Sequence, residues 1–358
     1  MYASLLQQMT TNNAPSPLLA LPEDLQRRLL AGCRYQDLFS LAAVCRAVRD
    51  VVNDPTFTAV RQSHGFVERG VVLVGTRRDC AVDIRSAQTR AVKVSITGLQ
   101  LNGDTTTDGR RMFASCWNSI PNQRIIYALD VISRQWSRFA PLPHNRALHC
   151  IEWYAGRLYV AGGIDGNDGN EILDSFCVYN EATRSWDALP DMPVGCYAAS
   201  SGVIGDQLLI AGGSVSSETL RIFDFTTGQW RLGPPLPEDG VAGFADTARP
   251  LHAHEPGIVS ENKLFMPGQT GMLIYDPLSE VWTQEPLPVG GSWKCACAHY
   301  GSIFVFLEGG AAYERAPGGS SWSSYRCWHA HARDALEAPA GEAHGSWGKT
   351  RVESILLG

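Results

Sequence analysis

The chain has 358 residues, with 30 lysines and arginines against 36 aspartates and glutamates, which gives a formal net charge of −6. The chain therefore lacks the excess of basic residues that is typical of a dedicated nucleic-acid-binding protein. Its hydrophobic content of 44% excludes disorder of the whole chain. Charged residues make up only 18% of the chain, whereas glycine occurs 35 times and proline 20 times. This balance favours short strands joined by tight turns, in two or three domains or one large β architecture with an appendage.

No apolar run reaches the length of a membrane span, and the richest stretches, such as Val71–Gly75 and Ser302–Leu307, have the length of strands. Residues 1–17 have no basic start and no continuous hydrophobic stretch, so we expect a disordered leader and no secretory signal. Without such a signal, the ten cysteines are expected to be reduced and to pack as small hydrophobic side chains. We therefore predict a cytoplasmic or nuclear protein with no membrane contact.

Residues 18–62 are predicted to be helical, because they repeat apolar side chains at helical intervals and hold little Gly or Pro. Pro22–Asp24 is typical of a helix start, since Pro suits the first turn and the helix dipole favours acidic residues there. Gly32 is predicted to end this helix. Asp37 is predicted to cap a second helix that continues to the breaker Asn53–Pro55. So short a segment cannot build a full core of its own, and it must pack on a partner or on the next domain.

The same segment resembles an F-box, whose usual form is an L-P-x-D/E-L opening, a middle leucine pair and a closing L-x-x-V-C-R-x-W-R. These three parts correspond to Leu21–Leu25, Leu29–Leu30 and Leu41–Arg49. Val48 stands where the family has Trp, and the smaller apolar area predicts an adaptor affinity weaker by about 1 kcal/mol or more. On periodicity alone, the alternative is a helical cap that only packs on the next domain.

The resemblance implies docking to the SKP-type adaptor of cullin–RING ubiquitin ligases. The residues that it assigns to adaptor binding are Leu21, Pro22, Leu25, Leu29, Leu41, Val44, Cys45 and Val48.

The rest of the chain repeats with a period near 50 residues, which indicates a repeat architecture. In four segments a hydrophobic residue precedes a tryptophan by seven positions: Leu129 and Trp136, Tyr179 and Trp186, Phe223 and Trp230, Tyr275 and Trp282. An Asp or Asn directly follows the first member of each pair and favours a tight turn between two strands. Glycine pairs end short apolar runs upstream, at Gly162–Gly163 and Gly212–Gly213, and allow sharp turns and close packing.

This pattern resembles the kelch repeat, which implies a mainly β fold, a β-propeller of four-stranded blades. Four blades are predicted at residues 144–193, 194–238, 249–289 and 290–328, and half of a fifth lies at 111–143.

A sixth, degenerate blade is predicted to begin with its second strand at Val71 and to carry Thr89 where Trp stands in the other blades. Arg351–Leu357 is predicted to supply its missing first strand, because a C-terminal strand in this place removes open sheet edges and closes a six-bladed propeller. The predicted domains are thus the leader at 1–17, the F-box at 18–62 and the propeller at 66–358.

Loops between second and third strands emerge on the same face of a propeller as the connections between blades, and both kinds of loop are long here. Such variable loops on a rigid scaffold are suited to recognition. The predicted loops are Ile164–Ser175, Ser214–Thr219, Gln100–Arg111 and Glu238–Arg249. The candidate target-binding residues on them are Arg110, Arg111, Asp165, Asp168, Glu171, Asp239, Asp246 and Arg249.

No catalytic, cofactor or metal site is predicted. Gly348–Thr350 is similar to the end of a phosphate-binding loop, but Ala343 stands where the first glycine is needed. Asp165–Gly169 does not have calcium-loop spacing. Cys327, His329 and His331 have no second paired cluster that would complete a metal site.

The resemblance therefore implies an F-box/kelch-repeat protein, an architecture most abundant in plants. Its expected function is substrate recognition in an SCF-type ubiquitin ligase, with the SKP-type adaptor and cullin–RING ligase on one side and an unknown protein target on the other. The runner-up is a kelch scaffold or sensor that binds a partner without ubiquitination. A propeller enzyme and a nucleic-acid partner are not expected.

Overall fold

A computed structural model of the chain describes residues 20–33, 38, 45–54, 56–57, 60–61, 69–74, 79–83, 88–92, 100–109, 111–118, 123–130, 135–166, 171–213, 218–237, 257–268, 271–287, 293–299, 301–307, 312–325 and 351–356. The chain divides into two compact units. The first holds the N-terminal residues up to Arg69, and the second holds nearly all of the strands.

The first unit, called the head here, contains helix α1 (Glu23–Ala31) and helix α2 (Arg46–Asn53). As predicted, α1 begins after Pro22 and ends at Gly32. The predicted second helix was wrong in its extent, because Cys45 is extended (φ −135°, ψ 120°) and α2 begins only after it. The apolar residues of the sequence keep their helical spacing on both sides of Cys45, and periodicity therefore does not reveal that Cys45 is extended.

Within the described residues, the second unit contains six four-stranded antiparallel sheets and one small three-stranded sheet. Sheet 1 contains, in spatial order, β27 (Arg351–Leu356), β1 (Arg69–Val74), β2 (Asp79–Asp83) and β3 (Gln88–Val92). Sheet 2 contains β4 (Gln100–Thr107), β5 (Arg111–Asn118), β6 (Gln123–Asp130) and β7 (Gln135–Pro141). Sheet 3 contains β9 (Cys150–Tyr154), β10 (Arg157–Ala161), β13 (Phe176–Asn180) and β14 (Ser185–Leu189).

Sheet 4 contains β15 (Ser200–Ile204), β16 (Gln207–Ala211), β17 (Leu220–Asp224) and β18 (Gln229–Leu232). Sheet 5 contains β19 (Ile258–Ser260), β20 (Lys263–Pro267), β21 (Gly271–Asp276) and β22 (Val281–Pro286). Sheet 6 contains β23 (Trp293–His299), β24 (Ser302–Leu307), β25 (Ala312–Arg315) and β26 (Trp322–Tyr325). A small three-stranded sheet is made of β8 (Arg146–Ala147), β11 (Ile164–Asp165) and β12 (Glu171–Ile172).

The first strands of consecutive sheets lie side by side, β4 next to β9, β9 next to β15, β15 next to β19 and β19 next to β23. Hydrophobic clusters fill the space between neighbouring sheets. In one of them Phe176 of sheet 3 meets Phe223 of sheet 4 edge to face, with ring centroids 4.8 Å apart. This arrangement is the predicted six-bladed β-propeller, with the core lying between the blades.

The predicted closure by the C-terminal strand is confirmed. Strand β27 is hydrogen-bonded beside β1, although the two strands come from opposite ends of the propeller sequence. The predicted position of Thr89 in this degenerate blade is also confirmed. Thr89 of β3 stands opposite Val82 of β2, as a tryptophan of the fourth strand stands opposite a third-strand residue in other sheets.

The seven-residue spacing to Trp is the register of the third and fourth strands. Tyr179 lies directly opposite Trp186, and the same pairing recurs in sheets 2, 4 and 5. The Asp or Asn after the aromatic residue shapes the turn, as predicted. In sheet 4 the Asp224 Oδ1 atom accepts hydrogen bonds from the backbone N–H groups of Thr226 (2.8 Å) and Thr227 (3.0 Å).

The glycine pair after β10 is required by its surroundings. Gly162 and Gly163 both have positive φ (64° and 104°). A Cβ atom on Gly163 would lie 2.7 Å from the carbonyl oxygen of Ala147 in the small sheet. Only glycine allows the strand to turn here while β8 packs this closely.

Sheet 2 has a complete first strand, so the prediction of only half a blade at 111–143 was wrong. Strand β4 covers residues that had been assigned to a connection between blades. Its sequence is mostly polar, yet Thr105 and Thr106 are buried. The Thr106 hydroxyl oxygen accepts a hydrogen bond from the backbone N–H of Trp153 in sheet 3 at 3.1 Å. This hydrogen bond satisfies the buried Thr106 hydroxyl, and the strand can therefore be buried without the apolar pattern that would have predicted it.

Candidate protein-interaction surfaces

Helix α1 exposes two large apolar side chains on one face. Leu25 is 41% exposed and Leu29 is 48% exposed. Residues four apart are neighbours on a helix, so the two leucines form a continuous apolar strip. The opposite face of the helix is buried through Leu30 (2%) and Ala31 (0%). The helix thus packs with one face and presents a second apolar face, called the leucine strip here, to its surroundings.

Capping interactions define both ends of α1. At the start, the backbone N–H groups of Leu25 and Gln26 both donate to the carbonyl oxygen of Pro22 at 3.0 Å. At the end, the buried Arg61 donates through Nη1 to the carbonyl oxygens of Ala31 (2.9 Å) and Cys33 (2.7 Å). A cation at a helix C-terminus satisfies carbonyl groups that have no partner within the helix and interacts favourably with the helix dipole.

Arg27 links α1 to the end of α2. Its guanidinium group pairs with Asp54 and donates through Nη1 to the Thr56 hydroxyl at 2.9 Å, and its Nε atom lies 3.4 Å from the Glu23 carboxylate. Because Arg27 lies on a different side of the helix from the leucine strip, this link leaves Leu25 and Leu29 exposed.

The other predicted adaptor-binding residues are distributed unevenly. Pro22 is exposed, and Leu21 and Cys45 are half-buried. Leu41 and Val44 lie outside the described residues. The side chain of Val48 is only 1% exposed and shares the buried face of α2 with Val52, so it contributes to the interior of the head and offers no surface for an adaptor.

Two predicted target-binding residues meet on the small sheet. This sheet extends the loop between the second and third strands of sheet 3, at the edge called the loop face here. Asp165 stands opposite Glu171 on one side and opposite Arg146 on the other. Glu171 is exposed and Asp165 is half-buried, so both present carboxylates at this edge.

Arg146, which belongs to β8 of the small sheet, is completely buried. Its Nη1 atom donates to the carbonyl oxygen of Gly162 at 3.1 Å, and its Nη2 atom donates to the Ser175 hydroxyl at 2.9 Å. Desolvation lowers the pKa of this guanidinium group, and Cys177 and Asp165 act in the opposite direction. The buried cation therefore serves to hold the two ends of the loop together.

A second arginine, Arg124 of β6, approaches Asp165 from sheet 2. Burial lowers the pKa of its guanidinium group, and the Asp165 carboxylate partly offsets this effect. The Asp165 carboxylate thus interacts electrostatically with both Arg124 and Arg146.

The structure separates Arg111 from these residues and contradicts the predicted grouping. Arg111 begins β5, and the turn before it connects the first and second strands of sheet 2, at the opposite edge of the sheets. Its Nε atom is 2.7 Å from the Asp108 carboxylate, and its guanidinium carbon lies 5.0 Å from the ring centroid of Phe113 and 5.6 Å from that of Trp153. These contacts occupy the side chain in joining sheets 2 and 3.

The remaining predicted target-binding residues lie outside the described part of the chain. They are Arg110, Asp168, Asp239, Asp246 and Arg249.

Sequence reasoning missed an aromatic contact on the edge opposite the loop face, called the turn face here. The Tyr154 hydroxyl donates to Asp206 Oδ1 at 2.6 Å, and its ring stacks on Phe225 with centroids 3.9 Å apart. The hydrogen bond to Asp206 is the main cause that raises the pKa of Tyr154. The three residues lie in different turns of sheets 3 and 4, so no local motif connects them.

Two buried cysteines have raised pKa values. Burial raises the pKa of the Cys177 thiol, which Arg146 partly offsets, and burial raises the pKa of the Cys196 thiol. Both thiols are therefore disfavoured as thiolate nucleophiles. Among the described residues no group of three or more His, Cys, Asp or Glu side chains is placed to hold a metal ion. Within the same residues, no helix combines the length and apolar character needed to cross a membrane.

Two family models match the chain. A model described as F-box domain matches residues 18–59, which include α1, α2 and the leucine strip. A model described as Kelch motif matches residues 145–193 and 195–237, which correspond to sheets 3 and 4 with the small sheet.

Relatives and solved structures agree with this division. The chain is 24% identical over 311 residues to an F-box/kelch-repeat protein of Arabidopsis thaliana, covering 80% of this chain and 77% of the relative. It is 26% identical over 185 residues to Kelch-like protein 36 of Bos taurus, covering 49% of this chain and only 29% of that protein. The solved structure of YjhT is similar in fold, with a TM-score of 0.54 at 14% sequence identity over 73% of this chain and 97% of that structure.

Proposed function

We propose that this chain, which is an F-box/kelch-repeat protein, is the substrate-receptor subunit of an SCF-type ubiquitin ligase. In this proposal the head binds an SKP-type adaptor and, through it, a cullin–RING ligase. The propeller binds a protein target, and the chain itself makes and breaks no covalent bond. Its contribution is to raise the effective concentration of the target near the ubiquitin-loaded enzyme.

The observation that carries the proposal is the leucine strip. Two leucines exposed by 41% and 48% on a helix whose other face is buried are unusual for a segment that only caps a neighbouring domain. Burying the part of each leucine that is still exposed would contribute roughly 1 kcal/mol to binding. The strip also lies within the residues that match the F-box domain model.

Target recognition is assigned to the loop face. The exposed Glu171 presents its carboxylate there beside the half-buried Asp165, and the buried Arg146 holds the loop that carries them. A rigid support with charged groups at its rim is suited to selecting one protein surface over others. We place this activity in the cytoplasm or the nucleus, which imaging of a fluorescent fusion of the full chain would test.

The test is adaptor binding by the full chain with a charge placed in the strip. Leu25→Asp and Leu29→Asp should each abolish co-purification with an SKP-type adaptor, because an unpaired carboxylate in a desolvated interface is costly. The matched control is Leu278→Asp in the turn between β21 and β22, where the leucine is 91% exposed. This control should bind the adaptor as the parent does.

Thermal melts of all three variants separate lost binding from lost folding. If the parent chain is folded and does not bind the adaptor, the ligase function is wrong and the kelch scaffold becomes the better hypothesis. Proximity labelling in cells that express the full parent chain or its Leu25→Asp variant would then identify propeller partners that do not depend on the adaptor.

A further inference from the structure

The chain uses arginine almost to the exclusion of lysine. It contains 26 arginines and four lysines, at Lys93, Lys263, Lys294 and Lys349. Lysine is ordinarily among the commonest residues of soluble proteins. The first 92 residues and the 169 residues between Lys93 and Lys263 contain no lysine at all, although arginines occur throughout both stretches.

Packing explains only some of these arginines. Arg61, Arg146 and Arg221 are buried and each donates to two or more backbone carbonyl groups. A planar guanidinium group with five N–H donors can satisfy several acceptors at once, which a lysine ammonium on its flexible stem does less well. At these positions the structure itself requires arginine.

Other arginines stand where lysine would serve equally well. Arg157 at the start of β10 and Arg184 in the turn before β14 are both exposed on the turn face of sheet 3. Arg28 and Arg46 are exposed on the head. Among the described contacts none of these four has a bidentate ion pair, so at each position a hydrated cation is sufficient.

The chemical difference at such exposed positions is nucleophilicity. A lysine Nζ that has lost its proton can attack the thioester carbonyl carbon of ubiquitin carried on a conjugating enzyme. The new N–C isopeptide bond forms, the C–S bond breaks, and the proton of the attacking amine goes to the departing thiolate. The guanidinium group stays protonated and cannot take this part.

We propose that the exposed arginines protect this chain from ubiquitination by the ligase into which it assembles. This inference rests on the proposed function, because only a chain docked on the ligase is held near the ubiquitin thioester. Lysines held there would react at the millimolar effective concentrations typical of tethered groups. Replacing them by arginine keeps the surface charge and removes the acceptors.

The one lysine side chain that the structure describes agrees with this proposal. Lys263 is 38% exposed, and its ammonium group lies 3.4 Å from the Asp276 carboxylate. The same carboxylate accepts a hydrogen bond from the backbone N–H of Leu278 at 2.9 Å, which holds it in place. A paired ammonium must leave its partner and lose its proton before it can attack.

The experiment restores lysines in the full chain without changing its charge. Arg157→Lys and Arg184→Lys lie on the turn face of sheet 3, at the opposite edge from the loop face, and neither residue belongs to the leucine strip. Parent and double variant are assembled with purified adaptor, cullin–RING ligase, activating and conjugating enzymes and ubiquitin. Conjugates on the chain are then located by mass spectrometry. We expect conjugation of the double variant to be roughly tenfold faster than that of the parent, at the two new lysines.

The matched control adds Leu25→Asp to the double variant, which should return conjugation to the parent rate because the chain no longer docks. If the double variant binds the adaptor as the parent does and is conjugated no faster, the protection proposal is wrong while the proposed function stands. If the parent itself does not bind the adaptor, both fail together. Adaptor binding measured in the same samples distinguishes the two results.

Discussion

The indole Nε1 atom of Trp230 donates a hydrogen bond of 2.8 Å to the backbone carbonyl oxygen of Pro190, although the two residues are 40 positions apart and belong to neighbouring sheets. The corresponding tryptophans of sheets 3 and 5 make the same kind of bond to a proline carbonyl of the preceding sheet. The repeated Trp therefore joins each blade to the one before it, in addition to filling space within its own blade.

Trp230→Phe should lower the free energy of unfolding. The variant keeps an aromatic ring but removes the donor and leaves the Pro190 carbonyl without this partner, which costs about 1 kcal/mol beyond the loss of ring size. Urea denaturation followed by far-UV circular dichroism measures the change.

The control for this prediction is Trp322→Phe in β26. The Trp322 Nε1 atom is buried and has no hydrogen-bond partner within the described structure. Its replacement changes ring size in the same way and breaks no such bond. Equal destabilisation by the two substitutions would show that the bond to Pro190 contributes nothing.

Arg221→Lys should be strongly destabilising although it conserves charge. Arg221 is completely buried, and its guanidinium group donates to four backbone carbonyl oxygens, the closest of them that of Val194 at 2.6 Å. Lysine cannot reach all of them, and buried unsatisfied acceptors cost about 1–3 kcal/mol each. The exposed Arg157→Lys provides the control and should stay within about 0.5 kcal/mol of the parent. If the Arg221→Lys and Arg157→Lys variants unfold at the same denaturant concentration, this role of Arg221 is refuted.

Acid should weaken the turns of sheets 4 and 5 through their aspartates. Hydrogen bonds from backbone N–H groups, that of Thr227 foremost, lower the pKa of Asp224, and that of Leu278 is the main cause that lowers the pKa of Asp276. A carboxylate whose pKa is lower in the folded state stabilises the fold above its unfolded pKa. This contribution is lost as the pH falls through the folded value.

Asp224→Asn keeps the acceptor oxygen and removes the titration. Asn180 already occupies this position in sheet 3, where its Oδ1 atom accepts a hydrogen bond from Ala182 at 3.1 Å. The stability of the Asp224→Asn, Asp276→Asn variant should therefore fall less than that of the parent between about pH 5 and pH 2. Urea unfolding midpoints of both proteins are measured across that pH range. If the midpoints of the two proteins fall in parallel as the pH is lowered, Asp224 and Asp276 are not the cause of the acid sensitivity.

Deletion of residues 350–358 should destabilise the whole propeller. The deletion removes β27 and leaves β1 as an open sheet edge. A large part of the roughly 5–15 kcal/mol that stabilises a typical domain should be lost. Deletion of residues 357–358 alone, which leaves β27 intact, is the control. Calorimetry should show a lowered melting temperature, in a single transition, for the longer deletion only. If the longer deletion melts like the parent, closure by β27 is excluded.

The propeller was largely predictable because the residues that pair across its third and fourth strands recur at a fixed spacing in the sequence. Tyr179 and Trp186 face each other across two strands, and Asn180 shapes the turn between them, so a local pattern reports a local structure. The closing strand was predictable for a related reason, since a blade that lacks its first strand requires one from elsewhere in the chain.

Elements whose burial depends on polar groups escaped prediction. Strand β4 has a polar sequence and is joined to sheet 3 through the Thr106 hydroxyl, which leaves no apolar alternation to detect. The extended conformation of Cys45 was missed because the apolar spacing continues through it. The burial of Val48 was missed because helical spacing shows that a face is apolar but not whether it faces the interior. For Leu25 and Leu29 the same ambiguity was resolved by the motif in which they occur.

Because sheet 1 takes its first strand from residues 351–356, this blade cannot be completed until those residues have been synthesised. Until then, strand β1 of the nascent chain lacks its neighbour β27. A messenger that is cut short, or a ribosome that stalls before residue 351, yields a molecule in which sheet 1 lacks its first strand. The fold thereby makes closure of the propeller conditional on synthesis of residues 351–356.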